Sequence, residues 1–356
     1  MRASSAKGKI VTSRRPTTCM TDYFEVHERD GAARIGELRL ADAVPTPALV
    51  DDVDADTPGR VHTVLADAGG RWPTAQDAPE GDDTAVTVLP HRGLPAGTPE
   101  EVADAFADDY PDVEFPSGAV VSPETAGDHP ADVTVLSGAP GYVGHGSAFV
   151  DAVTTVKQAV PADTALYLPG VATPRNVATL VYAGVDLVDP HRAVIRGTEG
   201  RYLTTDEAYF LEDLEELPCA CPACQQPRDA FDRSDCAAHN VHALAAELAR
   251  VRRRIRDGRL RDYVEGQARQ DNWLTATVRI LDQRYGYVAE RTPLLRRAEL
   301  AATTEDAIRR VEIQRFAQRV TERYRPRFDD RPLVLVPCSA RKPYSDSQSH
   351  KQYHDA

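Results

Sequence analysis

The chain has 356 residues, 42% of them apolar, enough to bury a core in two domains or in one large barrel with an appendage. Its formal net charge of −13 argues at first sight against a nucleic-acid partner. No run of about 18 consecutive apolar residues occurs, which excludes a membrane-spanning helix. The N-terminal stretch carries basic side chains without an apolar segment, so we expect residues 1–19 to be no signal peptide but a disordered tail, or the result of a misplaced translation start before Met20.

The charge is unevenly distributed along the chain. Residues 250–331 include 21 arginines, no lysine and 13 acidic residues, a net charge of about +8, which leaves about −21 for the remainder. The whole chain has 5 lysines against 37 arginines, which together with abundant aspartate is typical of a cytosolic protein from a high-salt (halophilic) cell. The arginine-rich segment indicates a polyanion-binding face, and a solvated helical bundle is the alternative interpretation.

Strand and helix patterns follow one another from residue 24 onwards. Alternating residues at 24–26 and 34–38, joined by the turn Arg29-Asp30-Gly31, predict a hairpin, and 45–50 predicts the entry into a first core strand. Further strands are predicted at 85–89, 132–136, 165–168 and 185–188, alternating with helices at 100–106, 149–160 and 174–183. This alternation predicts a parallel sheet with helices outside, and the number of units favours a (β/α)8 TIM-type barrel over an open sheet.

Asp189 directly follows the predicted strand at 185–188. The working residues of such barrels lie just past the C-terminal ends of the strands, which makes Asp189 a candidate catalytic residue. An acidic residue at a strand end is also often a helix cap or an acceptor between loops. On position alone, both interpretations stay open.

Three cysteines within six residues, Cys219, Cys221 and Cys224, are followed by His239. Cysteines so close together seldom reach disulfide geometry, whereas three thiolates and an imidazole are the ligand set of a structural zinc site. We therefore predict a Zn²⁺ knuckle, with residues 236 (Cys) and 242 (His) as alternative fourth ligands. Apolar residues at 241, 244, 248, 251 and 255 predict a helix with His239 in its first turn. Placing half of the six cysteines on a metal favours a reducing, cytoplasmic compartment.

The patterns after the knuckle divide the rest of the chain. Apolar residues at 313, 316, 320 and 324 predict a packed helix, and the run 333–336 between prolines predicts a buried strand that opens a further α/β domain. We therefore expect a tail at 1–19, a barrel with its zinc site at 20–265, an arginine-rich helical region at 266–330 and the start of another domain at 331–356. Since one strand and one loop do not make a domain, we expect that last domain to be truncated or completed by a separate polypeptide.

The loop after that predicted strand contains a set of chemically active side chains. Cys338 lies just past the strand end, where α/β folds hold ligands, and nearby cations would favour its reactive thiolate form. Lys342, Tyr344, Ser347 and His350 complete a set suited to covalent catalysis. A small buried cysteine beside a solvated polar loop is the alternative interpretation.

From about residue 24 to residue 269 the chain resembles the tRNA-guanine transglycosylases, especially the archaeal enzymes that act in the tRNA D-loop. The matching stretches are 24–26 with 34–38, 46–49, 184–189, 201–204, the cysteine knuckle and His239-Asn240. In that family a barrel exchanges a guanine for a 7-deazaguanine base. The resemblance implies a nucleophilic aspartate at Asp189, zinc ligands at Cys219, Cys221, Cys224 and His239, and a tendency to form homodimers.

One stretch departs from the transglycosylase pattern. Where the family has an Asp-Ser-Gly-type motif with a second catalytic aspartate, this chain reads Leu89-Pro90-His91-Arg92-Gly93-Leu94-Pro95. Without that carboxylate, proton transfer at the glycosidic centre would be impaired. We therefore expect Asp189 to be vestigial and the barrel not to exchange bases.

The terminal loop is similar to the signature of the archaeosine synthases, a paralogous branch of the same family. The pattern Pro-Cys-x3-Lys-Pro-Tyr-x2-Ser-x2-His occupies residues 337–350. The resemblance implies a tRNA partner whose 7-cyano-7-deazaguanine, at D-loop position 15, has its nitrile converted to an amidine. It implies lysine as the amine donor, with glutamine or ammonia as alternatives. A base-exchanging transglycosylase and an inactive tRNA-binding module are the two competing functions.

Overall fold

The computed structural model describes residues 21–70, 79–91, 99, 101–102, 113–296, 298–323, 325, 344–351 and 353. The predicted tail at 1–19, nearly all of the helix at 100–106 and the strand at 333–336 lie outside these residues, as do Cys338 and Lys342. Within the described ranges, none of the helices combines the length and the apolar character that a membrane crossing requires.

A three-stranded antiparallel sheet precedes the barrel and consists of β1 (Phe24–Asp30), β2 (Ala33–Leu38) and β3 (Val44–Thr46). Phe24 lies opposite Leu38, which confirms the predicted hairpin. Gly31 reverses the chain with a φ of 68°, a left-handed conformation that glycine adopts without a Cβ clash.

Seven parallel strands form a closed barrel in the described part of the chain. The barrel closes because Leu187 in the last strand pairs with both Tyr167 and Ala48. This confirms the TIM-type architecture predicted from the alternation of strands and helices. The strands are β4 (Ala48–Asp52), β5 (His62–Asp67), β6 (Val86–Val88), β7 (Ser117–Val121), β8 (Val133–Leu136), β9 (Ala165–Leu168) and β10 (Leu187–Val188).

Helices follow the last three barrel strands and then continue as a helical region. The hairpin of β11 (Arg201–Leu203) and β12 (Ala208–Phe210) interrupts them. The helices are α1 (Gly146–Ala159), α2 (Val177–Ala183), α3 (His191–Thr198), α4 (Arg233–Arg256), α5 (Leu260–Ala268), α6 (Asn272–Gln283), α7 (Tyr285–Arg291), α8 (Val311–Gln318) and α9 (Gln348–Lys351).

The long helix α4 begins with a reciprocal cap. The Asp232 carboxylate accepts the backbone N–H groups of Ser234 (2.7 Å) and Asp235 (3.0 Å), and the Asp235 side chain accepts the Asp232 N–H (3.0 Å). The apolar face of α4 is at most 2% exposed and packs into the same core as the barrel helices: Val241, Leu244, Leu248, Val251 and Ile255. Burial of each such side chain contributes about 1.5–3 kcal/mol, which anchors α4 to the barrel.

Three local predictions are wrong. The run 45–50 is split, because Val44–Thr46 pairs with β2 and only Ala48–Asp52 enters the barrel. Helix α4 begins at Arg233 because Asp232 caps it there, so His239 lies in the second turn and not in the first. The side chains at 316 and 320 are 55% and 46% exposed rather than packed. For residue 320 the α-helical spacing is already lost, because the α-helix ends at residue 318 and a wider π-helical turn follows.

Candidate active site and metal centre

Acidic side chains gather at the C-terminal mouth of the barrel. Asp51 lies at the end of β4, Asp67 at the end of β5, and Asp189 directly after β10. Burial raises the pKa of the Tyr167 hydroxyl, and the negative charges of Asp189, Asp51 and Asp67 raise it further. All three carboxylates therefore lie near this one side chain. Because the C-terminal ends of parallel strands meet at one edge, residues distant in sequence are brought together there.

Asp189 is fully buried and accepts several hydrogen bonds. Its Oδ2 accepts the Gly170 N–H (2.6 Å) and the Tyr167 hydroxyl (2.9 Å), and its Oδ1 accepts the His191 backbone N–H (3.0 Å). Burial raises the pKa of Asp189, although the nearby His191 and these donors oppose that shift. Its carboxylate oxygens are thus engaged by donors from the protein itself.

His191 links Asp189 to a second buried carboxylate. Its Nδ1 lies 3.4 Å from Asp189 Oδ1, and its Nε2 lies 3.2 Å from Asp51 Oδ1. The imidazole is 56% exposed, whereas the two carboxylates are 0% and 5% exposed. The ring therefore lies at the mouth and contacts both Asp189 and Asp51.

Sequence reasoning found Asp189 but missed Asp51, Tyr167 and His191. The signal for Asp51 was available, because it also lies at the C-terminal end of a predicted strand. The contact of His191 with Asp51 spans 140 residues, and only closure of the barrel reveals it. In the stretch that departs from the transglycosylase motif, His91 forms a parallel bridge with Gly70, and residues 92–95 lie outside the described part.

The predicted metal ligands come together. One ligand atom each from Cys219, Cys221, Cys224 and His239 forms a group whose members lie within 4.8 Å of one another. His239 Nδ1 is 3.3 Å from the Cys224 thiol and 3.6 Å from the Cys221 thiol. In a tetrahedral site with Zn–S and Zn–N bonds of about 2.3 and 2.1 Å, ligand atoms lie roughly 3.6 Å apart. This Cys3His group could therefore hold a metal ion, and neither alternative fourth ligand belongs to it.

The tautomer of His239 suits a metal ligand. Its Nε2 lies 3.0 Å from the Leu203 carbonyl oxygen, which accepts the Nε2–H and leaves Nδ1 as a lone-pair donor facing the thiols. Burial lowers the pKa of His239 to about 4, so the ring is neutral, and burial raises the pKa of the Cys224 thiol to about 12. A buried thiolate needs a compensating cation, which a bound divalent metal ion provides.

The metal group is connected to the β11–β12 hairpin. The Tyr202 ring stacks on His239 at 3.7 Å between centroids. Asn240, the residue after the histidine, accepts the Leu203 N–H (2.8 Å) and donates to the carbonyl oxygens of Arg201 (2.9 Å) and Ala193 (3.0 Å). The hairpin, helix α3 and helix α4 are thus joined at one point.

Only part of the predicted catalytic loop lies in the described residues. The rings of Tyr344 and His350 are 4.7 Å apart, and Ser347, 3% exposed, lies between them in sequence. The Ser347 N–H donates to the Tyr344 carbonyl (3.0 Å), and the His350 N–H donates to the Ser347 carbonyl (3.0 Å). These three predicted site residues are therefore close together, while Cys338 and Lys342 are outside the described residues.

Many arginines of the arginine-rich segment are neutralised within the fold. Arg261, 3% exposed, contacts Asp282 (2.5 Å) and Glu265 (2.8 Å), and Arg279 contacts Asp306 (3.1 Å). Other pairs of this kind are Arg253–Asp257, Arg284–Asp151 and Arg310–Asp262. Part of the local charge excess therefore stabilises the helices, and the polyanion-binding face stays a prediction.

The structure thus combines a closed parallel barrel, an aspartate just past its last strand and a Cys3His group, as the resemblance to the transglycosylases implies. Two family models match the chain: "Queuine tRNA-ribosyltransferase" over residues 122–272 and "Domain of unknown function (DUF5591)" over residues 313–356. The first spans the later barrel strands and the metal group. The second spans the segment that contains the predicted catalytic loop.

Curated proteins match a larger part of the chain than either family model does. The chain is 63% identical to "Archaeosine synthase" of Haloferax volcanii over 95% of its length and 56% of that protein's. It is 39% identical to "Archaeosine synthase subunit alpha" of Methanosarcina acetivorans over 94% of its length and 57% of that protein's. Identity to "tRNA-guanine(15) transglycosylase" of Methanothermobacter thermautotrophicus is 32%, over 56% of the chain and 31% of that protein.

The chain is therefore similar to archaeosine synthases over nearly all of its length, and its residues 122–272 match the family model of the queuine tRNA-ribosyltransferases. It spans about half the length of the curated archaeosine synthases that it matches.

Proposed function

We propose that this protein acts in archaeosine formation, as a transferase that converts the nitrile of 7-cyano-7-deazaguanine at position 15 of tRNA into an amidine. The observation that carries the proposal is the 63% identity, over 95% of the chain, to a protein named archaeosine synthase. A separate family model matches the terminal segment, residues 313–356. The partner is then a tRNA that already contains the cyano base, and lysine is the amine donor, with glutamine or ammonia as alternatives.

Cys338 is the proposed nucleophile. Its thiolate attacks the nitrile carbon, and the nitrile nitrogen takes up a proton, which gives a covalent thioimidate. The donor amine then adds to the same carbon, the C–S bond breaks, and the thiolate leaves as the amidine forms. Atoms and charges balance without an oxidant or a reductant.

The other loop residues are proposed to move protons and to hold the imidate nitrogen. Lys342, Tyr344 and His350 carry N–H or O–H groups suited to proton transfer, and Ser347 offers a hydroxyl. The 4.7 Å separation of the Tyr344 and His350 rings supports a shared site for these two residues. Burial of Ser347 supports a role inside that site rather than on a solvated surface.

For the barrel we propose binding of tRNA without base exchange. A nucleophilic aspartate needs an accessible oxygen, whereas Asp189 is 0% exposed and accepts three hydrogen bonds from its own protein. These contacts support the proposal that Asp189 is vestigial. They also make base exchange by this barrel the weaker candidate.

Zinc is the metal that we propose for the Cys3His group. Three thiols and a neutral imidazole at tetrahedral spacing fit Zn²⁺, and Cys219, Cys221, Cys224 and His239 would hold it. With four protein ligands the ion supplies no open position for chemistry, so its contribution is structural. It would fix the β11–β12 hairpin against helix α4 through the histidine and its neighbour Asn240.

The cellular setting follows from the same proposal. Reduced cysteines on a metal and a tRNA substrate are compatible with a cytoplasmic protein, and the composition favours a halophilic cell. We further propose a homodimer, as the family resemblance implies, and the domain boundaries at 265 and 330 derived from the sequence.

The test is amine addition to tRNA by the 356-residue chain. Unlabelled tRNA bearing the cyano base is incubated with lysine, glutamine or ammonium, and the nucleoside at position 15 is analysed by mass spectrometry. The proposal expects an amine adduct that disappears in Cys338→Ala and remains in the matched control Cys19→Ala, which removes another cysteine. Equal product with Cys338→Ala, or no product with the unmodified chain, would contradict the assignment.

A further inference from the structure

An arginine-lined cavity of about 330 Å³ lies beside the barrel mouth. Its walls come from the β11–β12 hairpin, the loops after β8 and β9, helix α3 and the start of helix α6. This volume is at the lower end of the roughly 300–1,000 Å³ typical of ligand sites. Four cations and two carboxylates contribute to the lining, an excess of two positive charges in a chain of net charge −13: Arg175, Arg192, Arg196 and Arg201 against Glu207 and Asp271.

The carboxylates do not neutralise the cations at the centre of this group. Asp271 caps helix α6 by accepting the N–H groups of Trp273 (2.8 Å) and Leu274 (3.2 Å), and it lies 3.6 Å from Arg175 Nη1. Arg196 is paired with Glu199 outside the cavity at 2.9 Å. Arg192 and Arg201 have no carboxylate at ion-pair distance within the described part of the chain. Burial and then the nearby Arg196 lower the pKa of Arg192, and the charge of Glu199 opposes that shift.

Two further donors of the lining are without an acceptor. Arg175 Nε and Trp273 Nε1 are buried atoms with no hydrogen-bond partner among the described residues. A buried donor left unpaired is unfavourable, and native proteins rarely retain one unless something else completes the bond. Both donors belong to residues that line the cavity, and an anion with several acceptor oxygens bound there would pair with Arg192 and Arg201.

The strand that carries Arg201 holds it in a fixed orientation. Successive residues of β11 point to opposite faces, so Tyr202 lies on the metal group while Arg201 and Leu203 line the cavity. The Arg201 guanidinium stacks on the Phe210 ring of β12 at 3.4 Å from its centroid. A stacked guanidinium keeps its fork of N–H donors directed to one side, as recognition of phosphate requires.

We propose that this arginine pocket (Arg175, Arg192, Arg201 and Trp273) binds a backbone phosphate of the RNA substrate. The lining supplies many donors and a positive charge, which is the recognition chemistry of a phosphodiester. Arg192 directly follows His191 at the barrel mouth, so a strand held here passes the rim of the barrel. The identity of the RNA as tRNA rests on the proposed function, whereas the phosphate chemistry rests on the pocket alone.

The test measures RNA binding without catalysis. Unmodified tRNA carrying a fluorescent label is titrated with the full chain, and anisotropy gives Kd at several salt concentrations between about 50 and 200 mM. For Arg192→Gln and Arg201→Gln we expect Kd to rise on the order of tenfold. The slope of log K against log salt should fall by about one for each variant.

Controls separate a lost phosphate contact from a lost charge or a lost fold. Arg39→Gln removes the same charge from the N-terminal sheet, where Arg39 is 52% exposed and paired with Glu25, and we expect its Kd to match that of the original chain. Arg192→Lys, which keeps a point charge, should recover part of the affinity. In a Trp72→Phe background, Trp273 is the single tryptophan, and RNA should change its fluorescence unless Arg192 is replaced.

The outcomes are distinguishable from those of the amine-addition assay. If Arg192→Gln binds tRNA as tightly as Arg39→Gln does, with the same salt slope, the proposal is wrong. It is equally wrong if inorganic phosphate or a nucleoside monophosphate shifts Trp273 fluorescence while the variants leave RNA binding unchanged, because the pocket then serves a small free phosphate. Failure of amine addition alone would leave the phosphate contact established and overturn only the proposed chemistry.

Discussion

Arg34 ties the N-terminal sheet to the base of the barrel through a buried ion pair. Its Nε and Nη2 donate to the two oxygens of Asp186 at 2.6 and 2.7 Å, and both side chains are 1% exposed. Asp186 also accepts the Leu166 N–H (2.8 Å), and Lys157 Nζ lies 3.4 Å from it. Asp186 directly precedes strand β10 and Asp189 directly follows it, so this contact positions one side of the mouth.

Replacing Arg34 with Met keeps an unbranched apolar side chain but leaves Asp186 buried with only Lys157 as a counter-ion. Removing one partner of a buried pair costs about 3–5 kcal/mol, and the remaining lysine places the expected loss near the lower limit, about 3 kcal/mol. At roughly 2–4 °C per kcal/mol for a domain of this size, Tm should fall by about 6–12 °C.

Urea unfolding followed by circular dichroism, together with a thermal melt, measures this loss. Arg39→Met is the matched control, because its pair with Glu25 is about half exposed and worth no more than about 1 kcal/mol. In the double variant Arg34→Met/Asp186→Asn, the loss should be smaller than the sum of the single losses, since no unpaired carboxylate remains. A loss for Arg34→Met no larger than for Arg39→Met would refute the reasoning.

Three other predictions concern the metal group, the mouth and the buried lysine. Cys224→Ser should reduce zinc in the purified protein from one ion per chain to well below one, measured by elemental mass spectrometry, whereas Cys236→Ser, outside the ligand group, should retain it. Labelled guanine should not enter tRNA with either the original chain or Asp189→Asn, and incorporation by the original chain would restore Asp189 as a nucleophile. Burial lowers the pKa of Lys157 to about 7, below its unfolded value of about 10.5, so the unfolded chain binds more protons between these values and stability should rise from pH 7 to 9. Lys157→Met should abolish that rise in urea titrations at the two pH values.

Local patterns were sufficient for much of the fold. The strand at 165–168 is observed at the predicted residues, and the hairpin follows from alternation on both sides of a glycine turn. The register in which Phe24 faces Leu38 depends on a β-bulge between Val26 and Glu28, which alternation does not predict. The metal group was predictable because three thiols within six residues have few other uses. In each case a short stretch of chain contains the whole signal, so no tertiary information is needed.

The features that the sequence did not predict depend on closure of the barrel and on the conformations of its loops. Asp51 and His191 meet only because β10 pairs with β4 across the barrel, and no local pattern encodes that pairing. The arginine pocket combines loop, helix and hairpin residues between positions 143 and 274, and each of its arginines alone is indistinguishable from a solvated surface residue. The start of helix α4 was misjudged because apolar spacing marks the buried face of a helix but not its cap.

The two faces of strand β11 contact different groups. Tyr202 rests on the cysteine and histidine group, and its neighbour Arg201 faces the cavity on the other side. If the Cys3His group holds zinc and the arginine pocket holds RNA, as proposed above, removal of zinc should weaken RNA binding before the barrel unfolds, because the β11–β12 hairpin would no longer hold the Arg201 guanidinium in one direction.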